Sequence, residues 1–466
     1  MKTVPFALGA ALFLAFAAGA SAAENAPTMI AGLQRQAALG FRASADDGLV
    51  VRRLDPNSPA AAAGLQDGDV ILRINNEKFS RAYEGEALLT KAKGGEILSL
   101  VVERDGAKRK VEFTPPPRSL ESIPGVRSIY GAVEPPDGAR LRTIITLPEG
   151  TSGKLHPLLF TQWVSCGSIE HRPGSESSEI LAFLARHSGL ALIRVERASD
   201  GDSEGAACHE LDYDTEVAHY VHAFKEAMKH EAIDASRVFV NGSSLGSTTA
   251  PLVALALQDD GYDIAGVAVQ GGGAETYYER MLTFDRHYLE RRPEEVSPAD
   301  IHDELLRRAK FHYEYLVRER NPDDVAKDGK DMALTRADIR GLGQGEHYGR
   351  PYAWHQQAAK RNFLAAWTAL DADALVIFNE FDQFEARYGH KVIVDMANRA
   401  RPGSATFIEQ ARMDHGNERY AEQKPHGAHE RDYIEDFILV PYVALVREGQ
   451  KDEQDGEGKE WNQPQP

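Results

Sequence analysis

The chain has 466 residues, 42% of them hydrophobic, with a formal net charge of -18 and only two cysteines. That length leaves room for two or three domains and a sizeable core, and the hydrophobic share suits a globular chain. So acidic a balance argues against nucleic acid or an anionic membrane surface as a partner, because both need concentrated Lys and Arg.

At the N-terminus, Lys2, the apolar run from Phe6 to Gly19 and Ala20-Ser21-Ala22 before Ala23-Glu24 have the three parts of a secretory signal peptide spanning residues 1–22. The mature chain is expected to begin near Ala23 and to be periplasmic or secreted. No later segment has the uninterrupted apolar length of a membrane span, so no integral membrane segment is expected after cleavage. Residues 24 to 36 read as a polar, alanine-rich lead-in.

Short strands with tight turns follow. Leu39-Gly40-Phe41, Gly48-Leu49-Val50-Val51, Ser58-Pro59-Ala60-Ala61-Ala62-Ala63-Gly64-Leu65 and Gly68-Asp69-Val70-Ile71-Leu72-Arg73-Ile74-Asn75 come in an order that resembles a bacterial PDZ domain over residues 36–115. The resemblance implies that an extended peptide adds a strand beside the Leu-Gly-Phe element. The N–H groups of Leu39, Gly40 and Phe41 would then hold a terminal carboxylate. A side-chain pocket would lie against a helix around Glu84 to Lys91; a groove used only for packing is the alternative. Pro115-Pro116-Pro117 removes backbone donors and predicts an extended linker at the end of this module.

Beyond the linker, β-rich segments are predicted at 126–131, 139–147, 157–163, 190–196, 236–241, 263–269, 374–379 and 404–409, with helices near 178–187, 211–230 and 246–258. This alternation predicts an α/β domain with a mostly parallel sheet and flanking helices. Residues 274–370 break the rhythm with charged and aromatic helical sequence and read as an inserted helical cap. The polar residues 448–466 read as a disordered tail.

Gly242-Ser243-Ser244-Leu245-Gly246 follows the strand-like Arg237-Val238-Phe239-Val240-Asn241 and opens into an apolar helical run. A sharp strand-to-helix turn can hold one serine in a strained conformation if the residues two before and two after lack side chains, which makes Ser244 a candidate nucleophile. The helix N-terminus then offers the N–H of Leu245 to an oxyanion. The alternative for Ser244 is a simple helix N-cap. Gly201-Asp202-Ser203-Glu204-Gly205 is a second match, but no strand runs directly into it, no apolar helix leaves it, and Glu204 would set a negative charge beside the oxyanion. Cys166 and Cys208 can oxidise in an exported chain; two free buried thiols are the alternative.

In this order the motifs resemble the α/β-hydrolase fold, over about residues 120–447. The resemblance gives Arg197 to Ser203 the place of a loop after the fourth strand, which explains Ser203 without catalysis. It makes the strands before Cys166 and Cys208 neighbours, so a disulfide there would brace the rim of the site. It implies a Ser, acid, His order along the chain, with Asp382 in Asn379-Glu380-Phe381-Asp382-Gln383-Phe384 as the acid, Glu380 as the fallback, and His415 in Asp414-His415-Gly416 as the base. His390 on the following helix, and His426 and His429 further on, read as surface residues.

The implied chemistry is a serine hydrolase working through an acyl-enzyme without a cofactor. The second oxyanion donor would come from Trp163 or Val164; Trp163 departs from the glycine common at that turn. Small esters and short peptides are both open as substrates, the PDZ-like module leaning toward peptides. His347, Tyr348, Arg350 and His355 could read a polar or anionic group or could simply pack. A catalytically inactive envelope scaffold is the alternative class. A metal-dependent hydrolase lacks an H-E-x-x-H signature, and the two cysteines lack close histidine partners for zinc.

Overall fold

Residues 28–29, 32–44, 48–172, 176–292 and 296–420 are described in this computed structural model. The expected signal peptide, the tail, His426 and His429 lie outside them.

The first strand, β1 (Thr28–Met29), belongs to the larger of two sheets. The smaller sheet follows: β2 (Arg42–Ser44), β3 (Leu49–Arg52), α1 (Pro59–Ala62), β4 (Val70–Ile74), β5 (Glu77–Lys78), α2 (Ala82–Thr90), β6 (Leu98–Arg104) and β7 (Ala107–Phe113). Its order is β2-β3-β4-β6-β7, antiparallel throughout, with β5 paired to β4. Alternation along β6 sends Leu98, Leu100 and Val102 inward against Leu49, Val51 and Ile71, as a pleated strand with one apolar face requires. Ser58 caps α1 by accepting from Ala61 N, with Pro59 in the first turn where its missing N–H costs nothing.

The larger sheet continues with β8 (Val126–Val133), β9 (Leu141–Pro148), β10 (Pro157–Thr161), α3 (Glu176–His187), β11 (Ala191–Val195), α4 (Tyr213–Ala227), β12 (Val238–Ser243), α5 (Gly246–Asp259) and β13 (Ile264–Gln270). An insertion comes next: α6 (Tyr277–Glu290), α7 (Pro298–His312), a π turn at Tyr313–Val317, α8 (Pro322–Val325), α9 (Lys330–Asp338), the hairpin β14 (Glu346–His347) and β15 (Arg350–Pro351), α10 (Tyr352–Ala359) and α11 (Phe363–Ala369). The chain then returns through β16 (Asp373–Asn379), α12 (Arg387–Ala400) and β17 (Ala405–Gln410).

The strand order is β1-β8-β9-β11-β10-β12-β13-β16-β17, with antiparallel pairing of β8, β9 and β11 and parallel pairing from β11 to β17. Period-two alternation splits the strands between two cores. Leu158, Phe160, Leu192 and Phe239 meet α3 on one face, while Leu159, Ile193, Val238 and Val240 meet α4 and α5 on the other. A mixed, mostly parallel sheet with helices on both faces and a helical insertion after β13 is the α/β-hydrolase architecture.

Two segments differ from their sequence readings. The lead-in is structural: β1 pairs parallel with β8, and Arg35 donates to Asp202 Oδ2 at 2.5 Å and pairs with Glu170 at 2.9 Å. A two-residue strand has no readable period, and both partners of Arg35 are more than a hundred residues away. The proline run is also tied back to the loops of the N-terminal module, since Ala38 N donates to Pro116 O and Gly95 N to Pro115 O, each at 2.8 Å. Losing a donor leaves proline's carbonyl free to accept.

Candidate active site

Ser244 sits at φ +53°, between the end of β12 and the first turn of α5. Two glycines make this turn possible. A Cβ at Gly242 would lie 2.3 Å from Gly246 O, and one at Gly246 would lie 2.1 Å from Thr161 O. Ser244 N donates to Gln270 O at 2.8 Å, pinning the turn to β13. Its side chain does not cap the helix.

Instead, Ser244 Oγ lies 2.7 Å from His415 Nε2, and His415 Nδ1 lies 2.8 Å from Asp382 Oδ2. Asp382 stands in the turn after β16, where its Oδ1 accepts from the amides of Phe384 at 2.8 Å and Glu385 at 2.9 Å. Burial pushes this carboxyl up, but the His415 charge and these hydrogen bonds outweigh it and hold it below the usual range. An ionised carboxylate only accepts, so Nδ1 carries the imidazole proton and Nε2 accepts from the serine hydroxyl. For His415, burial lowers the pKa, yet the charge and hydrogen bond of Asp382 prevail and the net shift is upward.

The loop after β17 is held in place from three sides. Asn379 Nδ2 donates to Asp414 O at 2.6 Å, Gln383 Oε1 accepts from His415 N at 3.2 Å, and Gln270 Nε2 donates to His415 O at 3.3 Å. Glu380, the fallback acid, instead accepts from Arg412 N at 2.7 Å. Ser203 is buried, donating to Glu196 O at 3.0 Å and accepting from Arg142 N at 2.9 Å. His390 is a correction: it is fully buried, packs edge-on against Phe378, and shares its Nδ1 with Ala386 O at 2.9 Å. Gly389, His390, Ile393, Val394 and Ala397 form the inward face of α12, a spacing that puts the histidine in the core.

The turn after β10 is fixed by two arginines. Arg197 donates to Gln162 O at 3.2 Å, to Trp163 O and to Ser165 O at 2.9 Å, and Arg350 Nε donates to Val164 O at 3.0 Å. With the carbonyls occupied, the N–H groups of Trp163, Val164 and Leu245 have no backbone acceptor among the described residues. All three residues line the cavity that holds Ser244. Arg350 is therefore buried in the scaffold of this turn, and His355 lies between Tyr277 OH and His347 O, while Tyr348, at φ +51° on the β14–β15 hairpin, lines the cavity. Glu216 joins Arg197 and Arg350, and no local sequence signal singles it out.

Cys166 and Cys208 form a disulfide beside this turn. Among the described residues, no cluster of three or more His, Cys, Asp or Glu could hold a metal ion, and no helix is long and apolar enough to cross a membrane.

In the N-terminal module, Gly40 has φ +75°, and a Cβ there would lie 2.3 Å from Ser58 Cβ. The N–H groups of Leu39, Gly40 and Phe41 donate to no backbone acceptor among the described residues. A groove between Leu39, Phe41 and Ala43 on one side and Glu86, Leu89 and Thr90 of α2 on the other opens toward Arg118, just past the proline run, and toward His171 and Arg172. Residues 37–114 match the PDZ domain family. This module is a PDZ domain.

Among curated proteins, the chain is similar to a probable protease eep of Enterococcus faecalis, 38% identical over 66 residues, which cover 14% of this chain and 15% of that protein. It is also similar to serine endoprotease DegS of Haemophilus influenzae, 36% identical over 63 residues, covering 14% of this chain and 18% of that protein. The chain thus spans less than a fifth of the length of these relatives. Among solved structures, esterase Pf2001 of Pyrococcus furiosus is similar with a TM-score of 0.41 and 11% identity, over 73% of this chain and 96% of that one. The α/β-hydrolase architecture is read from the strand order and connections of the sheet itself.

Proposed function

We propose that this protein is an exported serine hydrolase that cleaves ester or amide bonds through an acyl-enzyme, with Ser244 as nucleophile, His415 as general base and Asp382 as the group that orients it. The observation that carries this reading is the unbroken line Asp382 Oδ2, His415 and Ser244 Oγ at 2.8 and 2.7 Å, ending on a serine at φ +53° inside a cavity. Ser244 Oγ attacks the carbonyl carbon while its proton passes to His415 Nε2. The oxyanion is met by the N–H of Leu245 and that of Trp163 or Val164, at the start of α5 where free amides and the helix dipole favour negative charge. His415 then gives the proton to the leaving group, and water repeats the sequence to release the acid.

In this reading residues 36–115 are the peptide-binding module and 120–447 the hydrolase, with the insertion at 274–370 as its cap. Leu39, Gly40 and Phe41 hold the C-terminal carboxylate of a peptide or protein that lies along β2. A peptide with an amidated C-terminus is expected to bind at least about tenfold more weakly than the free acid. The disulfide and the secretory N-terminal pattern support export to the periplasm or beyond.

Labelling with a fluorophosphonate probe, followed by mapping of the modified peptide, tests the catalytic assignment. Modification at Ser244 that disappears in Ser244→Ala is the expected result. A folded wild-type protein that takes no label would instead favour an inactive envelope scaffold.

A further inference from the structure

The cavity around Ser244 measures about 340 Å³, at the small end for sites that hold small molecules. The sheet order places β10 on one side of β12, and β13 and β16 on the other. Below the turn at residues 163–165, the β10 side is lined by the apolar side chains of Phe160 and of Ile180, Leu181 and Leu184 from α3, with Trp163 at its upper edge. On the other side, α6 and the turn after β16 bring Met281, Phe284 and Phe384 together with Arg280. Arg280 is the only Arg, Lys, Asp or Glu among the described lining residues.

That arginine is 3% exposed. Its Nε donates to Glu385 Oε1 at 2.6 Å, and its Nη2 donates to Glu385 and, at 3.3 Å, to Gly271 O. Its Nη1 is buried with no hydrogen-bond partner among the described residues. A buried guanidinium N–H without an acceptor is costly, and a ligand carboxylate in the cavity that Arg280 lines would supply one. The side chains of Phe160, Leu181 and Leu184 offer no hydrogen-bond partner, so peptide amides laid against them would lose their bonds to water without replacement.

We propose that Ser244 acts on a small ester with an apolar body and one carboxylate, the body lying against Phe160, Trp163 and α3 and the carboxylate accepting from Arg280 Nη1. This inference rests on the serine-hydrolase reading of the same site. The carboxylate is a spectator: the bond that breaks is the ester C–O bond, and the alcohol leaves with the proton carried by His415. Arg280 acts as a specificity residue, and Glu385 and Gly271 hold the guanidinium in place.

The experiment compares kcat/KM for two pairs of esters on the full-length mature protein. One pair differs on the acyl side, p-nitrophenyl hexanoate against the p-nitrophenyl half-ester of adipic acid. The other differs on the alcohol side, 4-methylphenyl hexanoate against 4-carboxyphenyl hexanoate. The carboxylate-bearing member of one pair is expected to be preferred by roughly tenfold or more, as for a hydrogen bond to a charged group. In Arg280→Met/Glu385→Gln, which removes both charges at similar volume, that ratio is expected to fall to near one, and taking a ratio cancels any general loss of activity. Ratios near one in the wild type, or a preference that survives in the double variant, would overturn the proposal. Fluorophosphonate labelling of Ser244 without hydrolysis of either pair overturns the substrate class alone, whereas absence of labelling removes the serine-hydrolase reading and this inference with it.

Discussion

Glu216 on α4 accepts from Arg350 Nη2 at 2.7 Å through Oε2 and from Arg197 Nε at 2.6 Å through Oε1, so one buried carboxylate joins the cap hairpin to the loop after β11. Trp354 Nε1 adds a third donor at 2.9 Å. Both arginines reach on to the carbonyls of residues 162 to 165, the turn proposed to carry an oxyanion donor. Glu216→Ala leaves two buried guanidiniums without their carboxylate. A loss of on the order of 3–5 kcal/mol in urea unfolding is therefore expected. Below the unfolding range, fluorophosphonate labelling is expected to slow by at least about tenfold, because a displaced donor stabilises the transition state less. Wild-type labelling by the folded variant would detach the turn from this network.

The two G-x-S-x-G sequences are expected to respond oppositely to alanine. Ser244→Ala should lower kcat by about 10⁴ or more with the unfolding midpoint nearly unchanged, since among the described residues Oγ bonds only to His415. Ser203→Ala should keep the label at Ser244 and lose roughly 1–3 kcal/mol of stability, because Arg142 N is left without its acceptor in the core. Parallel probe labelling and urea titrations of the two variants separate these outcomes.

This contrast explains why the proposed nucleophile, acid and base were legible in the sequence. Ser244, Asp382 and His415 each follow a β-strand that the apolar pattern marks, and the resemblance to the α/β-hydrolase fold supplies the order in which to look for them. Glu216 and Arg350 are 134 residues apart, and nothing local marks a charged residue that will be buried by a partner so distant. Arg280 is hidden in the same way, its partner Glu385 lying 105 residues on. His390 was legible in principle, since its spacing to Ile393, Val394 and Ala397 puts it on the apolar face of α12. The lead-in gave no signal, because its two-residue strand forms only when β8 is there to pair with it.

Activity is expected to fall as pH is lowered, with a midpoint above the usual imidazole value near 6.5. Burial lowers the His415 pKa, but the Asp382 charge and hydrogen bond outweigh it, and His415 must be neutral to accept the serine proton. Asp382→Asn removes that charge, so the midpoint should move down, while kcat drops by about 10⁴ through loss of the correct tautomer. Glu385 titrates in the same window, pushed up to about 7 by burial against the pull of Arg280, with the Asp382 charge adding to the rise. The acid limb of kcat/KM, measured with an ester whose leaving group does not titrate, should therefore survive Glu385→Gln. Its disappearance in that variant would assign the limb to Glu385.

The disulfide and the Glu216 network hold the same turn by different means, and their variants should part accordingly. Cys166 and Cys208 are 42 residues apart, and Cys208 comes shortly before α4, which carries Glu216. Closing a loop of this length mainly restricts the unfolded chain and is expected to contribute about 4 kcal/mol in the chain-entropy account. Arg197 and Arg350 set the native positions of the carbonyls whether or not the sulfurs are bonded. Cys166→Ser/Cys208→Ser should thus lower the urea midpoint while kcat/KM under native conditions stays within about threefold, in contrast to Glu216→Ala, which should lower both. A large fall in kcat/KM for the folded double serine variant would mean that the disulfide, and not the arginine network, sets the geometry of the turn.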